Sequence, residues 1–498
     1  MNVNPITRLD YPDPDVIRVE DTYYMVSTTM HFMPGCEILQ SFDLVHWEHV
    51  TYVYETLDHT DAQQLKSGQN IYGQGMWAAS LRYHEGRFYI CFVANDTRKT
   101  YLYTSEKIDG PWKKQLIEGF YHDGSLLFDE DGRNYIVYGN DEIWITELNE
   151  DLTAPKKDGL HRLLVSDHKN PELGYEGSHI QKINGYYYIF LIHSLRDRWM
   201  RTETCFYSDS LEGEFTGGDV LCDDRGYCGQ GVAQGGIVDT PDGKWYAMLF
   251  QDSGAVGRIP ILVPVTWKDH FPVFGQNGHV PEEIEVHSTR PGYIYQPLVG
   301  SDDFCNGLLP RWQFNHDPDP RYYHLDALQG TYTITTREVC TELTQAVNTL
   351  TQRMSYPSCA AEVTVDASAL KEGDVAGLCA LQGCYAAVGI TKHHGKYEVL
   401  MLDKKENGIL DMTEGTVVES HQMDFRLEAD FCNMKDEARC YYRVNKGDWL
   451  PIGTVHKLYF KLDHFTGCRF GLFCYAAEET GGSACFRDFK YYDVDEIS

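Results

Sequence analysis

Short runs of β-branched and aromatic residues, separated by polar turns, recur through the first half of the chain. Each copy has an apolar strand, a turn rich in Gly, Asp or Asn, and a second strand with a central Tyr, which indicates a β-hairpin. The copies recur about every 45–65 residues, which predicts one four-stranded blade per copy and a five-bladed β-propeller rather than a solenoid. They are residues 15–25, 80–90, 125–136, 178–189 and 236–247.

At one position of the repeat, most copies have an ionisable side chain. The inner strands of propeller blades surround a central channel, so equivalent positions on these strands form a ring around one end of it. Three of the five ring residues are carboxylates, and clustered like charges perturb each other's pKa at a cost that folding alone does not explain. We therefore predict an active site at this ring. Its members, two residues before the first strand residue of each copy, are Asp13, Ala78, Asp123, Glu176 and Gln234.

Three carboxylates around a pocket suit the hydrolysis of a glycosidic bond. One carboxyl protonates the leaving oxygen, a second activates water or attacks the sugar, and a third can keep the acid protonated. Asp13, Glu176 and Asp123 provide these groups, and Trp77 offers an apolar face to a sugar. Each residue alone also fits a structural role, since Asp forms turns and Trp fills cores. Their shared register favours the catalytic interpretation.

The composition of the chain excludes some classes of binding partner. A chain of 498 residues is too long for one core, so more than one domain is expected. The formal net charge of −31 argues against nucleic-acid and anionic-membrane partners. No segment is apolar enough to span a membrane, and the N-terminus lacks a signal sequence, which favours a cytoplasmic location. We expect the fifteen cysteines to be reduced and buried.

The second half of the chain predicts another all-β domain. We assign residues 1–292 to the propeller, 293–302 to a linker and 303–498 to a β-sandwich. Alternating strands are predicted at residues 330–335, 361–366, 397–402 and 439–444, with turns at the spacing of a sandwich. Residues 268–304 are rich in Pro, Gly and His and lack periodicity, so we interpret them as a wrapping linker.

Ordered motifs along both halves match a known family. The propeller carries Tyr11-Pro-Asp-Pro-Asp15, Met33-Pro-Gly35, Gly75-Met-Trp-Ala-Ala-Ser80, Tyr175-Glu-Gly-Ser-His179 and the segment 235–245. The sandwich carries Leu350-Thr-Gln-Arg353, Gly373-Asp-Val-Ala-Gly-Leu378 and the segment 465–473. Together they resemble glycoside hydrolase family 43 of the β-xylosidase and α-L-arabinofuranosidase type. The second half is similar to the concanavalin-like β-sandwich of the β-xylosidase branch.

The roles that this resemblance implies fall on the ring. Asp13 would be the general base that activates water, Glu176 the general acid, and Asp123 the residue that orients the substrate and tunes the pKa of the acid. Arg258 matches the substrate-binding arginine of the family. The family inverts the anomeric configuration, so the carboxyls of Asp13 and Glu176 should lie about 6.5–9.5 Å apart.

Some positions depart from the family pattern. Met30 stands where xylosidases often have a Phe against the sugar, and we expect Met30 and Phe32 in the substrate-binding wall. Gln234 stands where many relatives have a His associated with a central metal, usually calcium. The amide oxygen of Gln234 still permits a calcium ion in the channel, although no cofactor is required.

The resemblance implies an exo-acting, inverting glycosidase. It would release single pentoses, above all β-D-xylose from the non-reducing ends of xylo-oligosaccharides or arabinoxylo-oligosaccharides. An α-L-arabinofuranosidase or a bifunctional enzyme is the nearest alternative. A carbohydrate-binding propeller without activity and a retaining enzyme for fructosides are weaker alternatives. The sequence is also compatible with a homo-oligomer.

Overall fold

The five-bladed propeller is present in the computed structural model, which describes residues 3–493. Five antiparallel sheets of four strands follow one another, each starting with its innermost strand. Blades one and two are β1 (Asp15–Val19), β2 (Thr22–Val26), β3 (Gly35–Ser41), β4 (Glu48–Tyr54), β5 (Met76–His84), β6 (Arg87–Ala94), β7 (Lys99–Ser105) and β8 (Lys113–Ile117). Blade three is β9 (Ser125–Phe128), β10 (Asn134–Asn140), β11 (Glu142–Leu148) and β12 (His161–Ser166). Blades four and five are β13 (Glu176–Ile183), β14 (Tyr186–Ser194), β15 (Arg201–Ser208), β16 (Thr216–Leu221), β17 (Ile237–Asp239), β18 (Trp245–Asp252), β19 (Arg258–Lys268) and β20 (Phe271–Phe274).

The register of the inner hairpins corrects the sequence alignment in blade four. The anchoring tyrosines pair across their hairpins with Ile17, Arg82, Leu127, Gln181 and Val238. In blade one, Asp15 lies two residues before the residue that pairs with the tyrosine. The same count in blade four gives His179, and not Ser178 as predicted. The turn of this hairpin has only two residues, between Ile183 and Tyr186, which places His179 at the position assigned to Ser178. Strand β13 also has a β-bulge between Glu176 and His179, as β5 has between Trp77 and Ser80. Gly177 therefore takes the predicted ring position, and Glu176 precedes it by one residue.

A hydrogen-bonded cluster from four blades fills the channel. Arg82 donates to Asp15 and to Ser125 Oγ, both at 2.7 Å, and to three backbone carbonyls. The second carboxylate oxygen of Asp15 lies 3.1 Å from His179 Nδ1. Burial alone would raise the pKa of Asp15, but the charges of Arg82 and His179 outweigh burial and hold this pKa below its usual value. We name Asp15, Arg82, Ser125 and His179 the axial cluster.

Blade five is completed by a strand that the sequence analysis missed. Strand β20 pairs with β19 from Val265 opposite Phe274 to Lys268 opposite Phe271. The interpretation of residues 268–304 as a wrapping linker was wrong for this segment. β20 has four residues and contains Pro272, which is tolerated because the strand lies at a sheet edge. So short a strand shows no detectable period.

The β-sandwich consists of two stacked antiparallel sheets. All four strands predicted from alternation form, at Thr331–Thr335, Ser358–Asp366, Lys396–Lys404 and Glu437–Val444. One sheet contains, in spatial order, β21 (Gln313–Phe314), β24 (Leu350–Arg353), β34 (Arg469–Tyr475), β26 (Val375–Leu381), β27 (Ala386–His393), β28 (Lys396–Lys404) and β29 (Leu410–Met412), with β30 (Thr416–Val418) also on β28. The other contains β22 (Tyr323–Asp326), β23 (Thr331–Thr335), β35 (Ser483–Asp493), β25 (Ser358–Asp366), β31 (Gln422–Asp430), β32 (Glu437–Val444) and β33 (Leu450–Lys457).

Helical structure is almost absent from residues 3–493. That part of the chain contains four 3-10 helices of three residues each, and no helix in it is long and apolar enough to cross a membrane. They are Lys66–Gly68, Gly254–Val256, Leu343–Gln345 and Cys432–Met434.

The cysteines are all free thiols, but not all are buried as predicted. Cys222, Cys228, Cys305 and Cys432 are exposed. Each of these four lies in a loop or a 3-10 turn rather than in an apolar strand, which explains the difference.

A buried ion pair joins the two domains. Arg353 on β24 lies 2.8 Å from Glu37 on β3, and their side chains are 5% and 3% exposed. The guanidinium of Arg353 also lies 4.1 Å from the ring centroid of Tyr11. Burial would raise the pKa of Glu37, but the charge of Arg353 and the hydrogen bond from His49 outweigh it and lower the pKa to about 2. Removal of either partner would leave an unpaired buried charge.

We therefore expect the substitution Arg353→Ala to lower the free energy of unfolding by about 3–5 kcal/mol, because Glu37 would lose its counter-charge. Chemical denaturation followed by tryptophan fluorescence measures this loss. Arg133→Ala is the matched control, since the Arg133–Asp131 pair has the same kind of contact at 2.7 Å but is exposed. Such a pair contributes about 0–1 kcal/mol. Equal losses in the two variants would contradict the prediction.

Candidate active site

A cavity of about 790 Å³ lies at the ring end of the propeller channel. Six predicted site residues line it: Asp13, Trp77, Asp123, Glu176, Gln234 and Arg258. The other two, Met30 and Phe32, are buried beside the cavity and do not line it. Phe32 packs 3.4 Å below the guanidinium of Arg469, and Met30 pairs with Met76 through its backbone. These contacts place both residues in the core, so the prediction that they form the sugar-binding wall was wrong.

The backbone turns sharply near the start of each inner strand. Non-glycine residues adopt positive φ uncommonly, although Asp and Asn do so more readily than most. Such conformations are held by the surrounding structure and concentrate at functional sites. The φ angles are 53° at Asp13, 31° at Ala78, 48° at Asp123, 65° at Gly177 and 62° at Gln234.

Asp13 is buried and held by two donors. Thr28 Oγ1 donates to Asp13 Oδ2 at 2.5 Å, and Arg258 Nη1 donates to Asp13 Oδ1 at 2.9 Å. Thr28 is itself fixed, because its hydroxyl accepts the N–H of Ala78 at 2.8 Å. The orientation of the Asp13 carboxylate is therefore determined by blade one, blade two and blade five together.

Arg258 keeps two donors for a ligand. Its Nη1 is bound to Asp13, whereas its buried Nε and Nη2 have no hydrogen-bond partner among residues 3–493. The guanidinium lies between the aromatic rings of Phe465 at 4.4 Å and Phe250 at 5.4 Å. Unsatisfied buried donors are costly, and they face a cavity where sugar hydroxyls could accept from them.

Asp123 and Glu176 form a pair of neighbouring carboxyls. Asp123 Oδ2 accepts the N–H of Gly177 at 2.9 Å, so it lies beside the bulge that carries Glu176. Glu176 Oε2 accepts from Asn140 Nδ2 at 2.7 Å. Burial and the charges of Glu176 and Asp13 raise the pKa of Asp123 to about 6, while His122 acts in the opposite direction. The carboxyl of Asp123 therefore retains its proton above the range that is usual for an aspartate.

His122 is a site residue that the sequence analysis missed. Its Nε2 lies 3.6 Å from Asp123 Oδ2 and 3.5 Å from Glu176 Oε2. The charge of Asp123 outweighs burial and, with Glu176, raises the pKa of His122 to about 9. Its position directly before Asp123 was visible in the sequence, but a lone His beside a turn carries no signal of its own.

The sandwich supplies one wall of the cavity. The loop between β33 and β34 contributes Phe460, Lys461, Leu462, Asp463 and Phe465, which we call the lip. The ring of Phe465 packs against that of Trp77, with their centroids 5.5 Å apart. Asp10 fixes the lip to the propeller, since its two carboxylate oxygens accept the N–H groups of Gly467 and Arg258, each at 2.8 Å. Sequence spacing within one domain could not show a contact between two domains.

The residues of the channel do not fit the calcium ion that the resemblance allows. Gln234 packs its side chain against Gly177, and its N–H donates to Glu203. Calcium binds about 6–8 oxygen ligands, with carboxylates among them. The channel carboxylate, Asp15, already has its oxygens engaged by Arg82 and His179. The guanidinium of Arg82 supplies the positive charge that a metal ion would otherwise supply.

Comparison with known proteins agrees with this geometry. The family described as "Glycosyl hydrolases family 43" matches residues 3–272, and the "Beta xylosidase C-terminal Concanavalin A-like domain" matches residues 301–492. The chain belongs to glycosyl hydrolase family 43. The family and the all-β fold, with a propeller followed by a concanavalin-like sandwich, are therefore confirmed.

Several family 43 proteins resemble this chain along nearly its whole length. A "Beta-xylosidase" of Formosa agariphila is 27% identical over 99% of this chain and 89% of its own length. A "Xylosidase/arabinosidase" of Butyrivibrio fibrisolvens is 24% identical over 99% of both chains. A solved structure described as "Bifunctional GH43-CE" of Bacteroides eggerthii is 43% identical, with a TM-score of 0.93 over 99% of this chain. Our family 43 chain spans 64% of the length of that protein.

Because the axial cluster is already neutralised, we expect chelation with EDTA to leave the melting temperature and the activity of the protein unchanged. The substitution Arg82→Met should instead lower the melting temperature by several degrees, since Asp15 would be left buried without its main counter-charge. Differential scanning calorimetry with and without EDTA tests both expectations. A loss of stability with EDTA that calcium restores would show that the channel does bind calcium.

Proposed function

We propose that the chain is an exo-acting, inverting glycosidase that releases β-D-xylose from the non-reducing ends of xylo-oligosaccharides. One observation carries the proposal: a single buried pocket holds Asp13 bound to Arg258, together with the proton-retaining pair of Asp123 and Glu176. A base and an acid of this kind are the groups that glycoside hydrolysis needs.

The reaction follows from these positions. Asp13, oriented by Thr28 and Arg258, accepts a proton from water as the water oxygen attacks the anomeric carbon. The bond from that carbon to the leaving oxygen breaks, and Glu176 delivers its proton to this oxygen. Water enters on the face opposite to the leaving group, so the anomeric configuration inverts. The free donors of Arg258 hold sugar hydroxyls during this step.

The shape of the cavity supports exo action. Asp13, Asp123 and Arg258 are buried at its inner end, while Leu462 is 73% and Trp199 44% exposed at its mouth. Its volume of 790 Å³ lies within the range of about 300–1,000 Å³ that is usual for ligand pockets. One sugar would reach the carboxylates, and the next sugar of the chain would lie at the mouth. The lip closes the side through which a longer chain would have to continue.

An α-L-arabinofuranosidase or a bifunctional enzyme is the second candidate. Relatives of the chain named "Xylosidase/arabinosidase" and "Non-reducing end alpha-L-arabinofuranosidase" support it. The donors of Arg258 would serve the hydroxyls of either pentose.

We expect hydrolysis of p-nitrophenyl β-D-xylopyranoside to exceed that of p-nitrophenyl α-L-arabinofuranoside, with inversion of the product visible by NMR. Asp13→Ala should lower kcat by about 10²–10⁴-fold, because the water would lose its base. Glu176→Gln should lower kcat by a similar factor while sugar binding persists. Faster cleavage of the arabinoside would favour the second candidate, and a retained configuration would refute the inverting mechanism.

The pKa of Asp123 predicts a pH dependence. The carboxyl of Asp123 holds its proton below about pH 6 and loses it as the pH rises through that value. Because the leaving oxygen takes up a proton on this side of the pocket, kcat/KM for xylobiose should fall above about pH 6. Initial rates of xylose release between acidic and alkaline pH test this. A plateau that extends well into the alkaline range would contradict it.

A further inference from the structure

The imidazole of His122 faces the two carboxyls that share the acid proton. Its Nε2 lies within 3.6 Å of both Asp123 Oδ2 and Glu176 Oε2, and its side chain is 22% exposed. At these separations Nε2 makes no regular hydrogen bond with any residue between 3 and 493. Its contact with the carboxyls is therefore chiefly electrostatic. The ring of Trp77 borders the imidazole at 6.3 Å.

We propose that His122 is a positioning residue whose positive charge sets the pH at which the Asp123–Glu176 pair releases its proton. The alkaline limit of activity would then be fixed by a residue that does not itself transfer a proton to the substrate. The inference rests on the proposed function, because the proton concerned is the one delivered to the leaving oxygen.

The balance of charge in the pocket leads to this role. Six carboxyls and four cationic groups line the cavity: Asp13, Asp123, Glu172, Glu176, Asp252 and Asp463, with His122, Arg201, Arg258 and Lys461. Arg201 is paired with Asp252 and Lys461 with Glu406. Arg258 is bound to Asp13 at 2.9 Å, which leaves His122 as the near counter-charge of Asp123 and Glu176. A cation next to two carboxyls favours their ionised forms, and their mutual repulsion favours retention of a proton. His122 therefore lowers the pH at which the pair loses its proton.

His122 acts through charge rather than through anchoring. Asn140 holds Glu176 by a neutral hydrogen bond at 2.7 Å, and Gly177 holds Asp123 through its N–H. Neither bond involves the imidazole. The pKa of His122, raised to about 9 by the charge of Asp123, keeps the ring cationic across the pH range in which the pair titrates. The charge is thus constant while the carboxyls change.

The test compares pH profiles of kcat/KM for xylobiose, whose leaving sugar needs a proton, in four variants. His122→Gln and His122→Phe should both move the alkaline limb to higher pH by about 1–3 units, because a nearby opposite charge has an effect of that size. His122→Lys, which keeps a positive charge, should leave the limb close to its original position. Asn140→Ala removes a hydrogen bond but no charge, so it should lower kcat without a comparable shift.

Alkaline limbs of His122→Gln and His122→Phe that stay in place, or move to lower pH, would overturn the proposal. NMR titration of the His122 ring in the unsubstituted protein provides a test that needs no variant to fold. A neutral ring at pH 7 would also overturn it, and a charged ring would support it.

A dinitrophenyl β-D-xylopyranoside separates this inference from the proposed function. Its leaving group departs without a proton, so the His122 variants should cleave it with no shift of the alkaline limb. A limb that shifts equally with both substrates would count against a role for His122 in the acid proton. Failure of the unsubstituted protein to cleave either xyloside would refute the proposed function, while the ring titration would still decide the charge of His122.

Discussion

The geometry of the candidate active site depends above all on the hydrogen bonds of the Arg82 guanidinium. Each propeller blade is a separate sheet, so backbone ladders alone do not fix one blade against the next. Arg82 of blade two binds Asp15 of blade one, Ser125 of blade three and a carbonyl of blade four. The ring of carboxyls begins two residues away along these inner strands. A displacement of one blade would therefore alter the spacing of the catalytic groups.

Three carboxyls lie together in the pocket, and each of them lies near a cationic group. Asp13 has Arg258, and the pair of Asp123 and Glu176 has His122. The two contacts differ in distance. Arg258 binds the carboxylate of Asp13 directly, whereas His122 lies farther from the carboxyls of Asp123 and Glu176. A fold that needed only stability would not place three carboxyls together. The left-handed backbone conformations at the ring also cost conformational free energy, and the packing around them keeps them in place.

The second domain forms part of the candidate active site. Asp10 accepts from the backbone of Arg258 with one oxygen and from Gly467 with the other. The same carboxylate thus holds Arg258, which lines the cavity, and the lip that forms one of its walls. Phe465 completes this link, since its ring lies over the guanidinium of Arg258. The buried pair of Arg353 and Glu37 holds the two domains in the orientation that these contacts require.

The sequence by itself determined the repeating hairpins, the five blades, the sandwich and the carboxyls of the pocket, because strand period and turn chemistry are local properties of the chain. Only the tertiary structure decided the bulge beside Glu176, the place of His122, the lip around Phe465 and the burial of Met30 in the core. It also placed Arg82 against Asp15 in the channel. These features depend on contacts between blades and between domains, and residues far apart in sequence meet there at distances that no local spacing encodes.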